Sequence, residues 1–491
     1  MNDLFQNFIG FPINIPAAAP EIWVLTMGLI ATLVGLFIGT KRPSVTYFLV
    51  QVTLVISLII SALQLGLPET FSFHGLYVLD DLSNWLKIFI DITAFGSFYY
   101  AQNYIRERNM PEGEYYLLGL LSVLGMMILC SASSLLTIYL GLETLSFPIY
   151  AMMALRRDKE NALEAAIKYF VMGAIASGML LYGMSMIYGA TGSLDLSEIL
   201  SRIDMNTETH RLLVSFGLVF LVAGIGFKLA SVPFHMWAPD VYSGAPTAVT
   251  MFLSTAPELA GIAMTLRLLV FGLGNMHVQW QPLLIILAIL SISVSAIVAI
   301  VQTNIKRLLA YSAIGHMGYA LLGIISGTQS GYAFSLFYVL IYSITGLAAF
   351  GLITLMSRYG IDADNIDDFR GLNSRNPWLA LLMMMVMFSL AGVPPMVGFF
   401  AKLFVLKALV DVHLVSLAVF GLVMAVVSAF YYIRVVKVIY FDVAPDGGQK
   451  VLLSKGNTAV LSVNVLALLF LGLFPKGLVE ACITAFNSVY F

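Results

Sequence analysis

The sequence predicts an all-α polytopic membrane protein of about 14 transmembrane helices, and three observations carry that prediction. Of its 491 residues, 60% are hydrophobic and only 11% are charged. The mean hydropathy of +0.92 lies far above the range of soluble chains. The apolar residues recur in runs of roughly 20, the length of helix that crosses about 30 Å of hydrocarbon. The lipid bilayer is therefore the expected surrounding. A net charge of −2 gives no support to nucleic acid as a partner. Cys130 and Cys482 are the only cysteines. They stand far apart in apolar surroundings, which indicates neither a disulfide framework nor an iron–sulfur site.

In chain order the expected spans are Pro20–Gly39, Ser44–Leu65, Leu82–Tyr100, Tyr115–Cys130, Leu135–Leu155, Ala162–Tyr188 and Leu212–Leu229, the last broken at Pro233. The second half gives Thr250–Leu273, Leu283–Val301, Leu308–Ile325, Tyr332–Met356, Pro377–Val410 with a break near Pro394 and Pro395, His413–Phe441 and Val460–Phe474. The N-terminal stretch MNDLFQNFIGFPINIP has no Lys or Arg before its apolar run and no small-residue cleavage pattern, so the first span is read as retained. Trp23, Trp85, Trp237, Trp280 and Trp378 fall near predicted ends, where interfacial anchors belong.

The basic residues set an orientation. Of the 25 Lys and Arg, 16 fall in loops after odd-numbered spans, three in even loops and the tail, and six within spans. The bias places the odd loops in the cytoplasm and both termini outside.

Two breaks echo each other. The seventh span carries Lys228 and breaks at Ser231-Val-Pro-Phe; the twelfth breaks at Ala391-Gly-Val-Pro-Pro and then carries Lys402. They are five spans apart in order, so they cross in opposite senses. Proline-broken helices at corresponding places of inverted repeats point to an ion or substrate site near the midplane. The chain accordingly divides into a three-helix segment (1–113), a five-helix repeat (114–275), a second, inverted repeat (276–442) and a C-terminal helix with its tail (443–491).

The intramembrane titratable residues are the candidate site: Glu143, Lys168, Lys228, Glu258, His316 and Lys402. A charge in hydrocarbon costs about 2.5–3.5 kcal/mol even on mild insertion scales, so it persists where it faces other helices or a wet cavity. Glu143 is about eight residues into its span, roughly 12 Å deep at 1.5 Å per residue. Carboxylates and ammonium groups suit proton transfer, since burial moves both toward neutrality while their attraction resists it. A Glu143–Lys228 pair would therefore be switchable. Each charge also has a purely structural reading. The set can lock helices together, Lys168 can snorkel or pair with Glu164 one turn earlier, and His316 can be a hydrogen-bonded core histidine. Lys87 and Asp91, one turn apart, are expected to pair with each other. Gly224-x-Gly226 lacks the strand–helix context of a dinucleotide site. The acidic run 362–370 reads as a solvated loop, without the spacing or terminal Glu of a calcium site.

Three stretches carry a resemblance: Gly226-Phe-Lys-Leu-Ala-Ser-Val-Pro-Phe-His-Met-Trp-Ala-Pro-Asp-Val-Tyr-Ser-Gly-Ala-Pro-Thr247; Gln302-Thr-Asn-Ile-Lys-Arg-Leu-Leu-Ala-Tyr-Ser312 with Gly315-His-Met-Gly-Tyr319; and Ser389-Leu-Ala-Gly-Val-Pro-Pro-Met-Val-Gly-Phe-Phe-Ala-Lys402. Over nearly its whole length the chain resembles the N-subunit family of bacterial proton-pumping NADH:quinone oxidoreductase, the antiporter-like membrane subunits of respiratory complex I. The resemblance implies 14 helices, inverted repeats and broken seventh and twelfth helices. It also implies a mid-membrane row of titratable groups that passes protons as quinone is reduced elsewhere in the complex, so the chain counts as part of a translocase without a redox centre of its own. Glu143, Lys228 and Lys402 take the places of the family's titratable residues. NADH, FMN, iron–sulfur clusters and quinone are then expected in other subunits, with no cofactor or metal on this chain. The expected partners are the antiporter-like subunit M and the small subunits K, J and A. One position departs: the family usually has a lysine where this chain reads Ser254-Thr-Ala-Pro-Glu-Leu-Ala260, so Glu258 reverses the charge at the middle of the row. A cation/proton antiporter subunit and a non-pumping structural subunit remain the alternative readings.

Overall fold

The computed structural model describes residues 14–39, 44–203, 207–357, 362–444, 451 and 453–487. The reading of the first 13 residues and the orientation residues Lys41, Arg42, Arg358 and Lys450 lie outside the described residues.

The helices follow the apolar runs. They are α1 Ala19–Val34, α2 Ser44–Leu63, α3 Asp81–Glu107, α4 Glu112–Cys130, α5 Leu135–Met153, α6 Glu160–Thr191, the short α7 Leu196–Arg202, and α8 Glu208–Lys228. Next come α9 Trp237–Gly244, α10 Thr247–Leu253, α11 Ala256–Thr265, α12 His277–Val298, α13 Ile305–Ile325, α14 Gln329–Met356 and the one-turn α15 Leu372–Arg375. The chain continues through α16 Pro377–Ala391, α17 Val397–Asp411, α18 Val415–Phe441, α19 Lys455–Leu473 and α20 Lys476–Asn487. Between α2 and α3 a hairpin pairs β1 (Thr70–Ser72) with β2 (Tyr77–Leu79), Phe71 opposite Val78. Asp80 then caps α3, its carboxylate accepting from Ser83 N at 2.8 Å.

Twelve helical segments among the described residues are long and apolar enough to cross a membrane. The difference from the expected fourteen has two physical sources. Helix α3 is 27 residues long but carries Asp81, Lys87, Asp91, Arg106 and Glu107. The twelfth predicted span is two helices of 15 residues each, α16 and α17.

Burial separates the centre from the periphery. The most apolar window of Thr247–Gly272 is 100% buried and those of α13 and α14 are 94% buried, against 22% at the first helix and 28% at α19. The candidate residues Glu258 and His316 are therefore on central helices. Close packing within the bundle uses small residues, as helices in lipid do. At Gly125 an added Cβ would lie 2.2 Å from the Leu145 backbone nitrogen, which fixes how closely α4 approaches α5.

At one end of the bundle the loops are tied by ion pairs. Asp362 meets Arg108 at 2.6 Å and Arg156 at 3.6 Å, and Asp364 meets Lys306 at 3.0 Å. Here the structure corrects the expectation of a solvated acidic loop: its first two aspartates clamp three basic segments, because buried guanidinium groups such as that of Arg108 require a carboxylate. Lys87 also finds another partner than expected. Its ammonium lies 2.8 Å from Glu21 and 2.8 Å from the Tyr77 hydroxyl, away from Asp91. Glu21 and Tyr77 bond each other at 2.9 Å, so a closed triangle of α1, β2 and α3 outcompetes the i,i+4 contact. Two tryptophans are not interfacial: Trp280 is fully buried with its Nε1 donating to Leu273 O, and Trp237 packs 4.6 Å from Tyr169. Cys130 and Cys482 are both free and buried.

Candidate functional site

Two interruptions of the helical ladder organise the interior. Helix α8 stops at Lys228, the chain passes Ala230 at φ +47° and a cis Val232–Pro233 bond, and α9 begins at Trp237. Backbone groups freed by such a break must be satisfied without water. Ser231 N reaches Gly226 O at 2.7 Å, Val232 N donates to the Ser291 hydroxyl of α12 at 2.9 Å, and Trp237 Nε1 donates to Phe227 O at 3.0 Å. In the second interruption α16 stops at Ala391, Gly392 takes φ +83° and Pro394–Pro395 is cis. Here Lys402, one turn into α17, donates to Leu390 O at 3.0 Å and Ala391 O at 2.8 Å. The ammonium thus caps the C-terminal carbonyls of α16, where the helix dipole favours a cation.

Lys228 is buried, and no carboxylate lies within 4 Å of its ammonium among the described residues. It faces two carboxylates at longer range, Glu258 and Glu143. Glu143 and Lys228 line one cavity of about 20 Å³, with Ser146, Ser177 and Tyr150. That is room for about one water molecule. Glu143 accepts a hydrogen bond from the Ser177 hydroxyl, so the two charges share a chamber without forming a contact pair. On the other side, the Lys228 stem packs over Gly261, where an added Cβ would meet Lys228 Cγ at 3.5 Å. Gly261 is one turn beyond Glu258 on α11. Glu258 occupies the first turn of that helix, behind Pro257, where exposed N–H groups favour negative charge. The local backbone thus suits a carboxylate at this position.

Sequence reasoning missed the groups that link Glu258 to the second break. The Glu258 carboxylate and the Tyr242 hydroxyl face each other in the interior, and Tyr342 faces the same carboxylate. The Tyr342 ring lies 5.1 Å from the His316 imidazole. His316 Nδ1 is hydrogen-bonded to the Tyr338 hydroxyl at 2.7 Å and Nε2 to the Tyr432 hydroxyl at 3.1 Å, and Tyr432 in turn meets Ser312 at 2.6 Å. His316 and Lys402 line a common cavity of about 10 Å³ with Tyr319, Tyr431 and Tyr432. Pair by pair, Glu143 shares a cavity with Lys228, Lys228 faces Glu258, Tyr342 neighbours both Glu258 and His316, and His316 shares a cavity with Lys402. Buried tyrosines have no sequence signature that separates them from interfacial ones; only their helical phase beside His316 and Glu258 would have suggested them.

Lys168 lies apart from these residues. It is 41% exposed, 2.7 Å from Glu164 and 2.9 Å from Asp240. With Arg307, Asn304 and Asp364 these groups line a polar cavity of about 330 Å³. Among the described residues no cluster of His, Cys, Asp or Glu is suited to hold a metal ion.

Residues 132–428 match the family described as NADH:quinone oxidoreductase/Mrp antiporter. The chain is 54% identical over 466 residues to NADH-quinone oxidoreductase subunit N of Coxiella burnetii, covering 94% of this chain and 96% of that one. Among solved structures it is similar to a chain of respiratory complex I from Thermus thermophilus with bound aureothin, at TM-score 0.80 and 30% identity, covering 94% and 98% of the two chains. It shares its fold with a chain of the Mrp complex from Dietzia, at TM-score 0.85 and 19% identity over 97% and 98%. Near-complete coverage at this identity shows that the chain belongs to the subunit N family of NADH-quinone oxidoreductases.

Proposed function

We propose that this chain translocates protons in the membrane arm of NADH:quinone oxidoreductase, along the row Glu143, Lys228, Glu258, Tyr242 and Tyr342, His316 and Lys402. The observation that carries the reading is the facing of Lys228 and Glu258 in the buried interior, one at the C-terminal end of α8 and the other in the first turn of α11, with the Lys228 stem packed over Gly261 one turn beyond Glu258. Buried charges cost free energy that a packing role alone meets more cheaply with apolar residues. Glu258 replaces the family's lysine with a group that can also hold or release a proton, so the row keeps a titratable centre of opposite sign. Lys168 belongs to the approach to the row rather than to its buried part.

The face bearing Arg108, Arg156, Lys306 and Arg307 is the cytoplasmic one in this reading, by the bias of basic loops. Both termini are then periplasmic. The two repeats correspond to 114–275 and 276–442. Neighbouring subunits M, K, J and A hold the chain in the arm, and NADH, FMN, iron–sulfur clusters and quinone belong to other subunits.

The test is proton-to-electron stoichiometry in inverted membrane vesicles that contain the assembled complex. Lys228→Ala is expected to lower proton uptake per NADH oxidised with assembly intact, and Glu258→Gln to do the same. Unchanged stoichiometry in Glu258→Gln removes Glu258 from the row. A native gel in which a tagged chain migrates apart from the NADH-oxidising band returns the cation/proton antiporter reading.

A further inference from the structure

The polar cavity around Lys168 is separated from the row by one short element, α9. Asp240 and Tyr242 lie two residues apart on this helix, about 200° around its axis, and so project from opposite sides. Asp240 lines the 330 Å³ cavity. Tyr242 is fully buried and faces Glu258. The Tyr242 hydroxyl is the hydrogen-bonding neighbour of the Glu258 carboxylate, and neither it nor Glu258 Oε2 has any other partner among the described residues.

The way α9 is held is specific. Each carboxylate oxygen of Asp240 meets a cation from a different helix. Oδ2 lies 2.9 Å from Lys168 of α6, and Oδ1 lies 3.3 Å from Arg307 of α13. Lys168 belongs to the first repeat and Arg307 to the second. Beyond the end of the helix, Lys306 donates to Ala245 O at 3.4 Å. The rest of α9 is held by the Trp237 Nε1 bond to Phe227 O at 3.0 Å, the Thr250 Oγ1 bond to Tyr242 O at 3.1 Å, stacking of Trp237 on Tyr169 and Phe227 at 4.6 and 5.6 Å, and close contact of Gly244 with α6, where a Cβ would meet Asn161 O at 2.7 Å. The Lys168, Arg307 and Asp240 side chains are 38–41% exposed, so these pairs are solvated and weak enough to open.

We propose that α9 is the gate between the polar cavity and the row, and that Asp240 is the positioning residue that latches it shut by bridging Lys168 and Arg307. This rests on the proton-translocation reading above. Opening the latch lets α9 tilt toward the cavity, which draws the Tyr242 hydroxyl away from Glu258 and gives the carboxylate access to water in its place.

The experiment uses the whole complex, in detergent for hydrogen–deuterium exchange of the peptide covering 237–244 and in inverted vesicles for proton uptake per NADH. Asp240→Asn is expected to speed amide exchange of α9 roughly fivefold, as loss of two part-exposed pairs would allow, and to lower protons taken up per electron. Asp240→Glu is expected to restore both values. Arg307→Gln attacks the latch from the other side and is expected to speed exchange as well. Unchanged α9 exchange in both Asp240→Asn and Arg307→Gln overturns the gate, as does faster exchange with wild-type stoichiometry. Lowered stoichiometry with unchanged exchange makes Asp240 a proton carrier and also overturns the latch. Lys228→Ala, run in parallel, reports on the row alone: wild-type pumping there defeats the translocation reading, whatever α9 does.

Discussion

Lys402 Nζ lies 2.8 Å from the carbonyl oxygen of Ala391, on the far side of a helix interruption, and an added Cβ on Gly392 would fall 3.0 Å from Lys402 Cδ. Gly392 also sits at φ +83°, a region that costs other residues about 1–3 kcal/mol. Gly392→Ala is therefore expected to lower stability by about 1–3 kcal/mol and to push Lys402 off its carbonyls. Thermal inactivation of the assembled complex, followed with proton uptake per NADH, checks both parts.

Asp80 and Arg267 form a pair at 2.8 Å with side-chain exposures of 1% and 3%, and Arg267 also donates to Cys130 O at 2.9 and 3.0 Å. Removing one partner of such a pair leaves the other charge uncompensated, at a cost of about 3–5 kcal/mol. Asp80→Asn should deplete the assembled complex on a native gel. Asp80→Asn combined with Arg267→Met should deplete it less than the two single effects together predict.

Gly125 and Gly141 let α4 and α5 touch through backbone, with an added Cβ on Gly141 lying 2.9 Å from Leu129 N. Gly125→Ala would force the helices apart, at about 1–3 kcal/mol. Gly113→Ala is the control, since nothing lies within 4 Å of a Cβ built there. Equal amounts of folded protein from both variants would contradict the close-contact argument.

Asp362 holds Arg108 and Arg156 from two other loops. Asp362→Ala removes a part-buried, charge-assisted contact worth about 1.5–3 kcal/mol. Trypsin cleavage after Arg156 and Arg157 in vesicles that expose this face should accelerate by about tenfold. An unchanged cleavage rate would mean that the clamp contributes nothing to loop order.

Hydropathy and proline were enough to read most spans and the positions where α8 and α16 end, because the bilayer enforces helix length and a broken ladder is rare in it. Glu143, Lys228, Glu258, His316 and Lys402 were visible for the same reason: a charge in an apolar run stands out. Partner choice was not legible. Lys87 has Asp91 one turn away in sequence, yet Glu21 and Tyr77 converge on it from 66 and 10 residues away. Trp237 and Trp280 sit at helix ends and still face inward, since the end of a broken or central helix need not be at the membrane surface. Tyr242 and Tyr342 became visible only when α9 and α14 were placed around Glu258, because a tyrosine looks the same in sequence at a lipid interface and in a buried corridor.

The hydroxyls around His316 have a consequence for timing. Tyr338, Tyr432 and Ser312 each carry one hydrogen and can donate in only one direction at a time. A proton that hops along such a wire leaves every hydroxyl turned the opposite way, so a second proton cannot follow until all of them have rotated back. Under the proposed translocation, the hydroxyls about His316 would then pass one proton and need a reset before the next, with the turning of tyrosine and serine O–H bonds inside a tight cavity setting the pace.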